Sequence, residues 1–315
     1  MTRKTDLEQM NSPDLPELVR VWNRCLTADL ISPARLEAQV LLDPNFRAEF
    51  FLVARIAGQM AGLALGMAGE GFHFPSRPEG ARAWILALAV DTPFRRQGVG
   101  AALLEALEAR LGQAGKRDLW IATYPTAYLV PGVDEAAYPG GLAFFQSQGY
   151  QVTSHAIAMD ASLWPPCFPP DLDERERRLA QQGVAILAYS SRWLIPFCHF
   201  LRDALPWDWE WLALRNLARI HDGAFRPGQF LLAVSGEWVI GYCQYEGAHF
   251  GPFGVAEGFQ GQGIGTLLLA RALQSMAQDG QHSAWVLWTG GDAARLYARF
   301  GFRESRKFAI LHKEV

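Results

Sequence analysis

Two heptapeptides carry the clearest chemistry in this 315-residue chain: FRRQGVG at 94–100 and FQGQGIG at 259–265. Each stands between an apolar run and an apolar-periodic run: AWILALAV before and AALLEALEARL after the first, HFGPFGV before and TLLLARALQSM after the second. Glycines at Gly98 and Gly100, and at Gly263 and Gly265, remove the Cβ atoms that hold a ligand off the backbone. Unpaired N–H groups of a first helical turn can then converge on one anion. A diphosphate is the natural guest. Helix-terminus electrostatics contribute roughly 0.3–1 kcal/mol and each hydrogen bond to a charged group about 1.5–3 kcal/mol, so a few N–H donors suffice without a lysine or a metal.

These turns need a strand to deliver the loop and a helix to supply the donors, and the sequence provides that pair twice. Gly98 and Gly263 are 263 − 98 = 165 residues apart, with the same order of elements around each, which marks an internal duplication. Other phosphate loops fit less well. A Walker loop needs Gly-Lys-Ser/Thr, but Ala101 follows Gly100 and Thr266 follows Gly265. A dinucleotide fingerprint needs a third glycine where Leu103 and Leu268 stand.

The remaining elements follow from periodicity. Residues 14–42 read as helix, broken at Ser32-Pro33, a good N-cap and N1 pair. Residues 50–67 read as two strands turning at Gly58, and 69–80 as a Gly/Pro-rich connector that either borders a substrate mouth or only links strands. Strand 118–124 leads into PTAYLVPGVDEAAYPG (125–140), and a helix then ends at Gly149 before YQVTSHAIAM closes the first copy as a strand. In the second copy strand 283–289 runs almost directly into a helix with Asp292 as N-cap and Gly301 as C-cap. The C-cap glycines are 301 − 149 = 152 apart, so the first copy carries 165 − 152 = 13 extra residues, either a lid over the site or an edge filler.

Between the copies, residues 162–182 start proline-rich and end in a charged helix whose DERERR run reads as a solvated face. The second copy opens with a strand (GVAILAY), two helices in 190–223 and two strands in 229–247. Trp207, Trp209 and Trp211 crowd its helical region, either as packing or as the wall of an acceptor pocket. The expected organisation is an N-terminal domain at 1–162, a linker and charged helix at 163–182, and a C-terminal domain at 183–315.

Composition narrows the function. Half the residues are hydrophobic, enough for two cores, and a net charge of −3 with no Lys/Arg block argues against a nucleic-acid surface. The four cysteines have no CxxC spacing and read as reduced thiols of a cytoplasmic protein. The N-terminus, MTRKTDLEQMNSPDLPEL, is polar without the apolar region of a signal peptide, and no run approaches the roughly 18 apolar residues of a membrane span. Neither an HExxH nor any other metal-ligand cluster is present, so no metal is expected.

The pattern [QR]xxGxG, Arg95 to Gly100 and Gln260 to Gly265, resembles the acetyl-CoA pyrophosphate loop of the GNAT (Gcn5-related N-acetyltransferase) superfamily. The resemblance spans nearly the whole chain and is similar to bacterial tandem proteins of the mycothiol synthase type. It implies an α/β (α+β) fold of two tandem GNAT domains, each a mixed, mostly antiparallel sheet flanked by helices. It also implies acetyl-CoA, or another short acyl-CoA, as cofactor. The cofactor residues it implies are the strand ends Leu88, Ala89, Val90 and Phe253, Gly254, Val255 with the turns Arg95, Arg96, Gln97, Gly98, Val99, Gly100, Ala101 and Gln260, Gly261, Gln262, Gly263, Ile264, Gly265, Thr266. In the family the strand before the turn splays from its neighbour and pairs with the pantetheine arm. Gly251, Pro252 and Gly254 suit such a strand, whereas ILALAV has no breaker and is expected to pair more regularly.

The implied reaction is direct acetyl transfer to a primary amine of a small molecule, peptide or protein. An amine with pKa about 10.4 costs about 4.6 kcal/mol to deprotonate at pH 7, so a base is needed, and the departing thiolate needs a proton. By resemblance Tyr297, in GGDAARLYARFGF, is the acid, with Gly290 where the family often has Asn. The first copy has Phe145 there, leaving Tyr124 or Tyr128 as substitutes. Glu246 and His249 are the base candidates of the second copy, with Glu79 similarly placed in the first. The alternative is a non-catalytic acyl-CoA-binding or regulatory module in one or both domains.

Overall fold

The computed structural model describes residues 5–69, 78–122, 124–126 and 129–315. In chain order the first half forms β1 (Asp6–Gln9), α1 (Leu15–Cys25), α2 (Pro33–Leu36), β2 (Phe51–Ile56), β3 (Gln59–Ala68), β4 (Arg82–Val90), α3 (Val99–Gln113), β5 (Asp118–Ile121), β6 (Val133–Asp134), α4 (Pro139–Ser147) and β7 (Gln151–Ser162). The second half forms α5 (Leu172–Gln181), β8 (Val184–Ala188), α6 (Leu194–Ala204), α7 (Trp207–His221), β9 (Phe230–Ser235), β10 (Trp238–Glu246), β11 (His249–Val255), α8 (Ile264–Gln278), β12 (Ser283–Thr289), α9 (Gly291–Ala298) and β13 (Arg303–Glu314).

Local chemistry explains most of these elements. The Ser32 hydroxyl accepts the Arg35 N–H and Pro33 supplies N1, so α2 starts where the sequence puts it, then continues as one π-helical turn over Glu37–Leu41. Gly149 and Gly301 close α4 and α9 at φ 89° and 81°, a left-handed conformation only glycine adopts cheaply. Asp292 is not the N-cap of α9. Gly290 is, and Asp292 sits in the first turn, where a carboxylate still favours the helix dipole.

The chain divides into two compact units, Met1–Ala156 with Lys307–Val315, and Ile157–Arg306. In the first, β1 to β4 form an antiparallel series, β4 runs parallel to β5, and the far side of β5 is taken by β13, where Leu311–Glu314 pair antiparallel with Asp118–Ile121. In the second, β8 to β11 are antiparallel, β11 is parallel to β12, and β12 is flanked by Ile157–Ser162 of β7. The last strand of each sheet therefore comes from the other copy in sequence order. The expected boundaries 1–162, 163–182 and 183–315 run in chain order, and the structure departs from them at these two strands. β7 and β13 each follow a glycine-capped helix, so local signals do not say which β5-type edge either one completes.

The 13 extra residues lay β6 beside β13, Val133 opposite Ala309 and Asp134 opposite Phe308, so this part of the insert fills an edge. Asp134 then accepts the N–H groups of Ala136 and Ala137 and turns the chain into α4. One face of the first sheet is covered by α3, whose Leu103, Leu104, Leu107 and Leu111 are buried, each worth roughly 1.5–3 kcal/mol. In the second unit α8 packs on one face with Cys243, Tyr245 and Phe250, while α6 and α7 cover Tyr242, Phe230 and Leu232 on the other.

Candidate functional site

The two glycine turns have the same internal wiring. In the first unit Asp91 accepts the Thr92 N–H, a single 3-10 turn covers Thr92–Phe94, and Arg96 and Gly98 both adopt positive φ, 62° and 85°. Arg95 Nε donates to the carbonyl of Val90 at 2.9 Å, and Gln97 Nε2 to that of Pro93 at 2.8 Å. In the second unit Gln260 Nε2 donates to the carbonyl of Val255 at 3.0 Å, and Gln262 Nε2 to that of Gly258 at 3.3 Å. Gly261 and Gly263 repeat the positive φ at 75° and 94°. The Gln/Arg position therefore does a job its sequence pattern did not disclose: it ties the loop to the last carbonyl of the strand and leaves the backbone donors to face a guest.

The helices begin directly after the left-handed glycines. The first intrahelical bonds run from Ala102 N to Gly98 O and from Leu267 N to Gly263 O. Val99, Gly100 and Ala101, and Ile264, Gly265 and Thr266, thus present first-turn N–H groups without intrahelical acceptors. A Cβ at Gly98 would meet no atom within 4 Å, so that turn is open. At Gly263 the surroundings differ. Arg175 Nη1 and Arg178 Nη2 of α5 lie 3.3 and 3.6 Å from the position a Cβ would take, and Arg178 Nη2 donates to the Gln262 carbonyl at 3.3 Å. The DERERR helix is accordingly not only a solvated face. Two of its three arginines, Arg175 and Arg178, stand at the turn that lacks arginines of its own, because α5 packs along α8 with Leu179 buried.

Each turn is fed by a strand that parts from its parallel neighbour. β4 and β5 pair from Arg82↔Asp118 to Trp84↔Trp120, and β11 and β12 only at His249↔Trp285, the same positions displaced by 165. Beyond these pairs the strands separate. The cause is a bulge at the same place in both: β4 has an extra residue at Leu86, between the pairs Gly66↔Ile85 and Leu65↔Ala87, and β11 has Gly251-Pro252 against Gln244 alone. ILALAV therefore splays like its counterpart, contrary to the expectation of regular pairing. A bulge needs only an extra residue and does not require glycine or proline. Leu88, Ala89 and Val90 keep their antiparallel partners Ala64, Leu63 and Gly62, leaving the other edge of β4 to a guest. Phe253, Gly254 and Val255 likewise pair only with Cys243, Tyr242 and Gly241. Turn and wedge together fit a diphosphate joined to an amide-bearing arm, as in acetyl-CoA.

The catalytic candidates are distributed unevenly. His249 is half-buried at the vertex of the second wedge, its ring 4.3 Å from that of Trp285, and desolvation lowers its pKa from the ordinary 6.5 to about 4. It is neutral at pH 7. Glu246, at the exposed end of β10, is clamped by Arg219 through two bonds of 2.7 and 3.2 Å. Tyr297 is only 6% exposed, packed among the rings of Phe250, Phe253 and Phe302, and burial pushes its hydroxyl pKa far up. It remains protonated at any physiological pH. Of the helical tryptophans, Trp209 lies with Leu205 against Gly254, while Trp211 is covered by Arg215.

At the first vertex, Trp84 is 5% exposed and is met edge-on by Tyr124, which is wholly buried. The Tyr124 hydroxyl accepts from Asn45 Nδ2 at 2.9 Å and lies 3.4 Å from Asp43. Tyr124 is thus built into the wall of the first unit. Phe145 is buried against Phe144 and Tyr150, Tyr128 lies outside the described residues, and so does the side chain of Glu79. Among the described residues no helix is long and apolar enough to cross a membrane, and no group of three or more His, Cys, Asp or Glu could hold a metal ion.

Comparison with known proteins agrees with this geometry. Residues 15–128 match the acetyltransferase (GNAT) family and residues 226–304 the acetyltransferase (GNAT) domain. No curated protein matches the chain. Among solved structures it is similar to the GCN5-related glucosamine N-acetyltransferase region of a fungal multi-domain GH3 β-N-acetylglucosaminidase, with TM-score 0.81 and 16% identity over 99% of this chain and 38% of that one. It is also similar to a GCN5-related N-acetyltransferase from Sphaerobacter thermophilus (TM-score 0.69, 17% identity, 98% and 95% covered) and to a tandem GNAT protein of the clavulanic acid biosynthesis pathway (0.65, 16%, 99% and 98%). At such identities these likenesses show the fold, and the family matches show the kinship. With two splayed wedges, each ending in a glycine turn that opens a helix, and a family match over each half, the chain belongs to the GNAT acetyltransferases as a tandem member.

Proposed function

We propose that the chain is an N-acetyltransferase that moves the acetyl group of acetyl-CoA, or of another short acyl-CoA, directly to a primary amine, with the chemistry in the second unit. The observation that carries the assignment is the difference between the two vertices. His249, a group able to take a proton, occupies the second beside a Trp285 that is 40% exposed, whereas Trp84 and the fully buried Tyr124 close the first.

Acetyl-CoA supplies an activated acyl group. The protein holds its diphosphate on the N–H groups of Ile264, Gly265 and Thr266 and its arm along the free edge of β11. His249 is neutral at pH 7 and takes the proton that the amine nitrogen sheds, since that nitrogen becomes strongly acidic as its new C–N bond forms. Tyr297 is protonated and borders Phe250 and Phe253 of the splayed strand, so it is the group assigned to return a proton to the departing sulfur. Glu246, held by Arg219, is assigned to acceptor recognition rather than to the base.

The first unit is read as an acyl-CoA-binding module, because Phe145 replaces the tyrosine and its vertex is sealed. The test follows CoA release from acetyl-CoA across a panel of primary amines, with glucosamine as the first acceptor because one similar fold carries that activity. A His249→Ala variant that turns over at the wild-type rate would move the base elsewhere. Absence of CoA release with every amine, together with acetyl-CoA binding, would favour a purely binding function for both units.

A further inference from the structure

Large apolar side chains scattered over a surface are ordinary, but a group of them beside a hollow marks a contact surface. The second unit has such a group. Trp238, the first residue of β10, is 69% exposed, and Ile195, in the first turn of α6, is 64% exposed. Both line one cleft of about 320 Å³ between the start of α6 and the tip of the β9–β10 hairpin, together with Trp193 and Pro196. The hairpin turns at Gly236 with φ 58°, which leaves Glu237 and Trp238 at its tip, outside the core that Val239 and Ile240 enter. The same patch therefore offers a projecting indole and a hollow lined by apolar side chains.

The cleft also carries one charge of each sign. Arg192 and Glu237 both line it and both are exposed. The Arg192 guanidinium lies over the ring of Trp193, 5.0 Å from its centroid, and among the described residues neither Arg192 nor Glu237 has an ion-pair partner. A two-fold axis sets residue i of one copy against residue j of the other, and j against i. A second copy of this chain thus supplies a carboxylate for each Arg192, a guanidinium for each Glu237, and an indole for each cleft.

We infer that the cleft between α6 and the β9–β10 hairpin is the surface of a two-fold homodimer, with Trp238 seated in the partner's cleft and two reciprocal Arg192–Glu237 pairs at the rim. A buried aromatic side chain covers about 150–250 Å², and tryptophan and arginine are the commonest anchors of such contacts. Two tryptophans with Ile195 around them make a small interface, of the class that associates in the micromolar range. The rim pairs fix the register and weaken as salt is raised. β10 runs from Trp238 to Glu246, roughly 27 Å at 3.4 Å per residue, so the contact lies at the far end of the strand from Glu246 and leaves the vertex at His249 open.

Sedimentation velocity of the full chain across the micromolar range tests the surface. Wild type is expected to shift from monomer to dimer with concentration. Arg192→Glu, Glu237→Arg and Trp238→Ser are each expected to weaken the dimer at least tenfold with Tm close to wild type, because all three positions are exposed. An equimolar mixture of Arg192→Glu and Glu237→Arg chains is expected to associate as wild type does, since each copy then meets the opposite charge at both rims, whereas either variant alone meets its own sign twice. A wild type that stays monomeric throughout overturns the inference. So does a dimer indifferent to all three substitutions, and so does a mixture that associates no better than its two components.

Discussion

The imidazole of His249 lies on the indole of Trp285, with ring centroids 4.3 Å apart, at the last point where β11 and β12 are paired. The corresponding strand pair of the first unit is Trp84 with Trp120, so the position of His249 carries a non-titratable indole there, packed on Tyr124. Burial is what holds the His249 pKa at about 4 instead of 6.5.

That depression makes stability depend on pH. The folded pKa lies below the unfolded one, so the unfolded state binds the extra proton first, and stability present above pH 6.5 is lost as pH falls towards 4. The contribution is at most roughly 3 kcal/mol at 1.36 kcal/mol per pH unit. His249→Phe keeps the stacking and removes the proton site. Its unfolding midpoint in urea is expected to fall less than that of wild type between pH 6.5 and 4, and parallel pH profiles would assign the acid sensitivity to other groups.

Tyr297→Phe keeps the ring among Phe250, Phe253 and Phe302 and deletes only the hydroxyl. A proton donor to the leaving sulfur is worth about 10²- to 10⁴-fold. The expected result is a fall in kcat of at least tenfold, with acetyl-CoA affinity and Tm close to wild type. Unchanged turnover removes Tyr297 from the mechanism.

The arginines of α5 predict an electrostatic signature at the second turn. Arg175 and Arg178 stand beside Gly263, while the first turn carries Arg95 and Arg96 within itself. In the Arg175→Gln/Arg178→Gln double variant, one of the two acetyl-CoA binding events seen by calorimetry is expected to change by about three- to tenfold and to lose part of its salt dependence, while the other stays as in wild type. Tighter binding would identify the arginines as a cover over the turn, and weaker binding as part of the phosphate site. No change would leave them a purely structural contact to Gln262.

Gly263→Val tests whether the second turn is occupied. A β-branched residue at φ 94° is strained by about 1–3 kcal/mol, and its Cβ would lie 3.3 Å from Arg175. Calorimetric stoichiometry is expected to drop from two acetyl-CoA per chain to one, with CoA release lost. Retention of turnover with one site lost would place the chemistry in the first unit.

Tyr124→Phe separates wall from site in the first unit. The substitution removes a buried hydroxyl bonded to Asn45, at an expected cost of about 1–3 kcal/mol seen as a lower Tm. CoA release per folded molecule is expected to stay at the wild-type level, and a selective loss of turnover would bring Tyr124 into the chemistry.

The glycine turns, the duplication at 165 residues and the helix and strand order were legible in the sequence because each depends on neighbours within a few residues: a left-handed glycine, a first turn of free N–H groups, an apolar period. Tertiary structure alone decided the rest. The splay of β4 comes from a bulge at Leu86, a residue with no local mark of irregularity. The arginines of the second turn come from a helix more than 80 residues upstream, and the cleft that joins Ile195 to Trp238 exists only once α6 has packed beside the β9–β10 hairpin. The ends of the two sheets were settled by which edge each long strand reached, a choice between equivalent partners that periodicity cannot express.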